Sequence, residues 1–221
     1  MRMMLRFALL AALVSTAAFA QEPAAAPPPP APKPATVRVD LETSEGRVVL
    51  ELEKERAPIT TANFLRYVDQ KRLNGVTFYR ATKVAPGYGF IQGGLRNDPK
   101  RVLPPIRHEP TTQTGLTHSD GTITMARAAP GTANADFVIT VGAIPSMDAD
   151  PKQPGDNLGF AAFGHVVEGM DIVRHILDEP TSPTEGTGVM KGQFLVAPVK
   201  IVSAHREAAA AQSTQSSPIS R

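Results

Sequence analysis

The stretch Thr36–Leu52, TVRVDLETSEGRVVLEL, alternates apolar and polar residues on both sides of a Ser-Glu-Gly turn. Val37, Val39 and Leu41 fall on one side before the turn, and Val48, Leu50 and Leu52 fall on one side after it. Successive side chains of a strand point to opposite faces, so this pattern predicts an antiparallel hairpin with one buried face. Next, APITTANFLRYVDQ sets Pro58 at a helix entrance and places Ala62, Leu65 and Val68 on one side of the helix. Short apolar runs follow: Thr77 to Tyr79 and Gly89 to Gln92 around a Pro86-Gly87 turn, then GTITMARA, ADFVITVGA and GFAAFGHVV. A second helix is expected from about Gly169 to Leu177, with Val173, Ile176 and Leu177 on one face and Pro180 beyond its end. GQFLVAPVKIVSAH supplies the closing strands. Many short strands with two helices far apart predict a mainly β fold, a closed antiparallel β-barrel capped by two α-helices, over residues 36–206.

The two ends of the 221-residue chain read differently from this body. MRMMLRFALLAALVSTAAFA has Arg2 and Arg6, an apolar run from Phe7 to Val14, and small residues ending at Ala18-Phe19-Ala20. That is the layout of a cleaved secretory leader over residues 1–20, cut after Ala20. Its apolar run is shorter than the ~18 residues that a membrane span needs. No later stretch is long and apolar enough to span. A periplasmic protein, not inserted in the membrane once cleaved, is expected. Residues 21–35, QEPAAAPPPPAPKPA, are a Pro/Ala-rich spacer of polyproline type, and residues 207–221 read as a disordered tail.

Composition excludes several classes of function. Loss of Arg2 and Arg6 turns 23 basic residues into 21 against 21 acidic ones, so the formal charge falls from +2 to zero. Nucleic-acid binding wants a basic face, and none is expected here. With no cysteine there is no disulfide, zinc ribbon, iron–sulfur centre or thiol nucleophile. No nucleophile elbow, zinc-protease helix or phosphate loop occurs. MDADPKQPGD starts like a calcium loop at Asp148 and Asp150 but has Lys152 and Gln153 where a ligand and the loop glycine belong, so a solvated loop is expected. The five histidines share no ligand spacing. No metal and no cofactor is expected.

What remains is TFYRATKVAPGYGFIQGG, Thr77 to Gly94, with MARAAPGTANADFVI and NLGFAAFGHVVEGMDIV. Here the chain resembles the cyclophilin family of peptidyl-prolyl isomerases. The family's aromatic-x-Arg, Pro-Gly-aromatic and Gln-Gly-Gly pattern is matched by Phe78, Arg80, Pro86-Gly87-Tyr88 and Gln92-Gly93-Gly94. Its Met-Ala segment corresponds to Met125-Ala126, and its Phe-Gly-x-Val-x-x-Gly-Met segment runs from Phe163 to Met170. The resemblance implies Arg80 as the catalytic residue, Gln92 as a donor to substrate backbone, Phe90 as a pocket wall, and Ala126 and Arg127 along the adjoining groove. The pocket aromatic is Tyr88 or Gly89 takes its place, and Phe137 belongs to the core more readily than to the pocket. Against the family's better-known eukaryotic pattern, Asp136 stands where a glutamine is usual, Val138 where a pocket phenylalanine is usual, and Phe160 where a histidine is usual. The family's groove tryptophan has no counterpart, and Ser146 or Met147 occupies that region.

The chemistry agrees with the residues. Rotation about an X-Pro bond breaks amide resonance against a barrier of ~18 to 20 kcal/mol, and no covalent bond has to form. The catalyst needs an apolar seat for the proline ring and a donor aimed at the prolyl nitrogen as its lone pair localises. An always-charged, rigidly forked guanidinium suits that task. A monomeric isomerase acting on proline-containing, unfolded or flexible exported polypeptides is the leading expectation. A Pro-segment-binding chaperone with little turnover is the alternative.

Overall fold

The computed structural model describes residues 33–207. The leader, most of the Pro/Ala segment and the tail after Glu207 lie outside the described residues.

Eight strands form the body: β1 (Val37–Thr43), β2 (Gly46–Leu52), β3 (Thr77–Ala85), β4 (Tyr88–Gly94), β5 (Thr122–Met125), β6 (Phe137–Val141), β7 (Ala161–Glu168) and β8 (Phe194–Arg206). They close into one barrel in the order β1-β2-β7-β5-β6-β4-β3-β8. Every pairing is antiparallel. The opening hairpin pairs Val37 with Leu52 and Leu41 with Val48, as its alternation requires. The closing segment is one long strand that pairs with β3 through its first half and with β1 through its second, and so seals the barrel. Closure leaves no free sheet edge for another chain to extend.

Two full helices pack on this barrel, α1 (Pro58–Asp69) against β7 and β8, and α3 (Met170–Asp178) against β2, β3, β4 and β6. Between them lies a single turn, α2 (Thr111–Thr114), too short to leave a periodic signal in the sequence. In α3 the buried residues are Val173, Ile176 and Leu177, the expected face. In α1 the expected face is partly corrected: Leu65 and Val68 are buried, but Ala62 is exposed. The helix is turned so that Phe64 and Tyr67 enter the core, because two aromatic rings bury far more apolar area than one methyl group. Its N-terminus lacks a local side-chain cap. The fully buried carboxylate of Glu109 does that work from a distance, accepting the backbone N–H of Ile59 (3.2 Å) and Thr60 (2.7 Å) and the Thr60 hydroxyl (2.7 Å).

Inside the barrel the core centres on phenylalanines. Phe64 meets Phe137 edge-on with ring centroids 5.4 Å apart, and Phe78 meets Phe137 at 5.7 Å. Phe137 is therefore a core residue. A second, smaller apolar cluster is separate from this core. It joins Val138, Ile144 and Met147 with Tyr88, Phe90, Ala126 and Phe160.

Candidate active site

The site is built by a break in strand alternation. Phe78 and Ala81 both belong to the barrel core, although three positions separate them and strict alternation would send them to opposite faces. A bulge between Phe78 and Arg80 resolves the conflict: Phe78 pairs with Gly93, and Arg80 pairs with Gln92, the next residue along β4. Arg80 thereby points out of the barrel on the same side as Gln92. Without the extra residue its guanidinium would be driven into the apolar interior, at a large cost in desolvation.

Once outside, Arg80 is held by two amide oxygens. Its Nη1 donates to Gln92 Oε1 at 2.7 Å, while Nε and Nη2 donate to Gln193 Oε1 at 2.9 and 2.5 Å. Its guanidinium lies over the Phe90 ring, 5.2 Å from the centroid. Among the described residues no carboxylate comes within ion-pair distance of it. Burial pulls its pKa below the ordinary value for arginine, with Tyr79 acting weakly in the opposite direction. A guanidinium has five N–H donors, and three are used here, so two remain for a ligand.

Beside this cation sits the small apolar cluster. Phe90 from β4 and Val138 from β6 are its floor, and Met147 and Phe160 its rim. Tyr88, rather than Gly89, supplies the aromatic. Its hydroxyl donates to the Ala143 carbonyl at 2.9 Å, and its ring rests where a Cβ on Gly142 would fall 2.5 Å away. Of the two candidates for the missing tryptophan's region, Met147 enters the cluster and Ser146 is exposed.

The segment bearing Met147 is pinned from behind. Asp148 Oδ1 accepts the backbone N–H of His118 (3.0 Å) and lies 2.6 Å from its Nδ1, while Ile144 N donates to the His118 carbonyl at 2.8 Å. The His118 side chain is fully buried, which lowers its pKa, although Asp148 acts in the opposite direction. Phe160 N donates to the Met147 carbonyl at 2.8 Å and ties the two rim residues together. Beyond Asp148 the loop is exposed from Pro151 to Asp156, as expected of a solvated loop.

Next to the cluster runs a groove of about 530 Å³, lined by Tyr79, Gln92, Ala126, Arg127, Asp136 and Phe194 among others. Two of the residues expected to meet a ligand here are engaged with their own chain. Arg127, with 7% of its side chain exposed, forks onto Asp156 with two bonds of 2.8 Å, donates twice to the Gly159 carbonyl, and covers Phe160 at 5.3 Å. Its hydrogen bonds hold the Asp156 carboxyl down at about 2. The Asp136 carboxylate accepts the Arg96 N–H (2.9 Å) and the Tyr79 hydroxyl (3.1 Å), and burial raises both acids above their ordinary pKa values. These two side chains shape the groove wall. Arg96 completes the wall by covering the stacked rings of Tyr79 and Phe194.

Comparison with known proteins shows the family to which the chain belongs. The family described as cyclophilin type peptidyl-prolyl cis-trans isomerase/CLD matches residues 38–206, most of the chain. The chain belongs to the cyclophilin family. A peptidyl-prolyl cis-trans isomerase of Acinetobacter baylyi is 34% identical over 172 residues, covering 76% of this chain and 85% of that protein. Another, of Streptomyces antibioticus, is 37% identical over 151 residues, covering 67% and 87%. The solved cyclophilin-type isomerase of Cryptosporidium parvum superposes with a TM-score of 0.62 at 19% identity, over 80% of this chain and all of that one. That protein has also been solved in the presence of the dipeptide Ala-Pro.

Within this cyclophilin, the structure brings Arg80, Gln92, Phe90, Tyr88, Ala126, Val138, Met147 and Phe160 together on one outer face. Sequence reading gave no role to Gln193, which lies 113 residues from Arg80. It belongs to none of the family segments that drew attention to the site, and a lone glutamine carries no local signal.

Proposed function

We propose that this chain is exported to the periplasm and there accelerates rotation about X-Pro bonds of flexible polypeptides, with Arg80 as the group that stabilises the twisted amide. Isomerase activity is the property of its family. The assignment of Arg80 rests on one observation: a partly desolvated guanidinium with no counter-anion among the described residues and two donors unused, beside a separate apolar cluster. The proline ring seats on Phe90, Val138, Met147 and Phe160. As the C–N bond twists, the prolyl nitrogen regains its lone pair and accepts from Arg80, an interaction stronger in the transition state than in the planar ground state. Gln92 keeps an amide N–H₂ free for the substrate backbone while its oxygen accepts from Arg80.

Export is supported by Arg2, Arg6, the apolar run and Ala18-Phe19-Ala20. Purified mature protein should catalyse isomerisation of a proline peptide followed by exchange NMR, and protein recovered from the periplasm should have a mass that starts at Gln21. An inactive, folded protein would overturn the first reading. Protein confined to the cytoplasm with Met1 to Ala20 intact would overturn the second.

A further inference from the structure

The segment between α3 and β8 contributes Gln193, whose side chain and backbone both grip β3. Its Oε1 accepts three donors: Arg80 Nε (2.9 Å), Arg80 Nη2 (2.5 Å) and the Thr82 hydroxyl (2.9 Å). Its Nε2 donates to the Val189 carbonyl at 2.7 Å, so the amide has one orientation in which every atom is satisfied. Its backbone carbonyl accepts the N–H of Ala81, the residue after Arg80, at 2.9 Å. The 3₁₀ turn Gly188–Met190 presents the Val189 carbonyl and, through Met190, the carbonyl that accepts the Gln193 N–H at 3.2 Å.

We infer that Gln193 is a positioning residue for the isomerase reaction: it fixes the Arg80 fork with a neutral acceptor, and so orients the cation without neutralising it. This rests on the reading of Arg80 as the donor to the prolyl nitrogen. A carboxylate in the same place would accept the same hydrogen bonds in a tighter, charge-assisted form, and would also cancel the charge that the twisted amide needs. An apolar side chain of the same size would leave the charge intact and the fork loose. Only a neutral amide supplies both orientation and an uncompensated cation. Gln92 supplies a second neutral acceptor on the other arm, so the whole cradle follows one rule.

The test compares Gln193→Leu and Gln193→Glu with the unmodified mature protein and with Gln153→Leu on the exposed loop. Turnover of a proline peptide is read by exchange NMR, with circular dichroism to confirm folding. Gln193→Leu should lower kcat about tenfold with KM little changed, because only an interaction realised in the transition state is weakened. The Arg80 Nε–H resonance should exchange slowly in the unmodified protein, where it is bonded to Gln193, and in the same variant should broaden or vanish, which a merely structural role would not cause. Gln193→Glu should keep that resonance and still lose kcat at least as far. Gln193→Leu within twofold of normal would overturn the orienting role, and Gln193→Glu at the normal rate would overturn the need for a neutral acceptor. If the unmodified protein turns over and both variants match it, this inference alone falls. An inactive unmodified protein would instead overturn the functional reading beneath it.

Discussion

The two faces of the sheet formed by β3, β4 and β6 both carry aromatic and aliphatic side chains and behave differently. Facing inward are Phe78, Ala81, Ile91, Phe137 and Ile139, which belong to the main core. Facing outward are Arg80, Phe90, Gln92 and Val138, joined across the strands by the pairs Arg80–Gln92 and Gln92–Val138. Inside, any apolar set of the right volume serves, because packing has no directional requirement. Outside, a few hydrogen bonds fix one cation over one ring. On the function proposed above, stability resides on one face and chemistry on the other, and the bulge at Tyr79 is the device that assigns Arg80 to the second.

Paired phenylalanines on neighbouring strands separate the faces most sharply. Phe137→Ala should destabilise the protein by ~3 to 5 kcal/mol through the cavity left among Phe64 and Phe78, as read from urea unfolding. Phe90→Ala should instead shift stability by only about 1 kcal/mol, while removing a pocket wall and the ring under Arg80. Its kcat/KM should fall about tenfold. Equal losses of stability from the two substitutions would erase the distinction between the faces.

A smaller effect concerns the segment behind the rim. Burial holds His118 below its ordinary pKa, and among the described residues Asp148 is the charged group bonded to it. Below the unfolded value of about 6.5, the unfolded chain takes up a proton that the folded chain resists, so stability should fall as pH drops from about 7 to 5. His118→Asn removes that titration and should flatten the decline, compared by urea midpoints at the two ends of the range. An unchanged slope would mean that His118 takes up its proton as readily in the fold as in the unfolded chain.

The barrel was legible in the sequence because its information is local: alternation in Val37 to Leu52, Gly and Pro at turns, and an apolar face at Val173, Ile176 and Leu177. Ala62 was misplaced because Thr60, Thr61 and Asn63 are buried alongside Phe64 and Tyr67, and polar residues blur the periodic stripe. Asn63 is tolerated inside since its Nδ2 donates to the Asn134 carbonyl at 2.6 Å. The site was legible only through resemblance. Residue parity alone would have sent Arg80 the same way as Phe78, and the break in alternation between Phe78 and Ala81 is marked in the sequence by one small residue only. Arg127 and Asp136 line the groove, yet their partners Asp156, Arg96 and Tyr79 are set by tertiary structure. His118 drew no role, since its partner Asp148 is 30 residues away.

The central claim is that the Arg80 guanidinium stabilises the twisted amide, and kcat/KM of Arg80→Ala and Arg80→Lys on a proline peptide tests it most directly. Loss of one preorganised donor at a polar transition state should cost on the order of 3 kcal/mol, or ~100-fold in rate, with the fold intact by circular dichroism. Arg80→Lys should also be slow, because an ammonium keeps the charge and loses the fork that Gln92 and Gln193 hold. Arg66→Ala, on the exposed side of α1, should leave the rate unchanged. A folded Arg80→Ala protein with near-normal turnover would contradict the account and leave this face as a site that binds proline segments without accelerating their rotation.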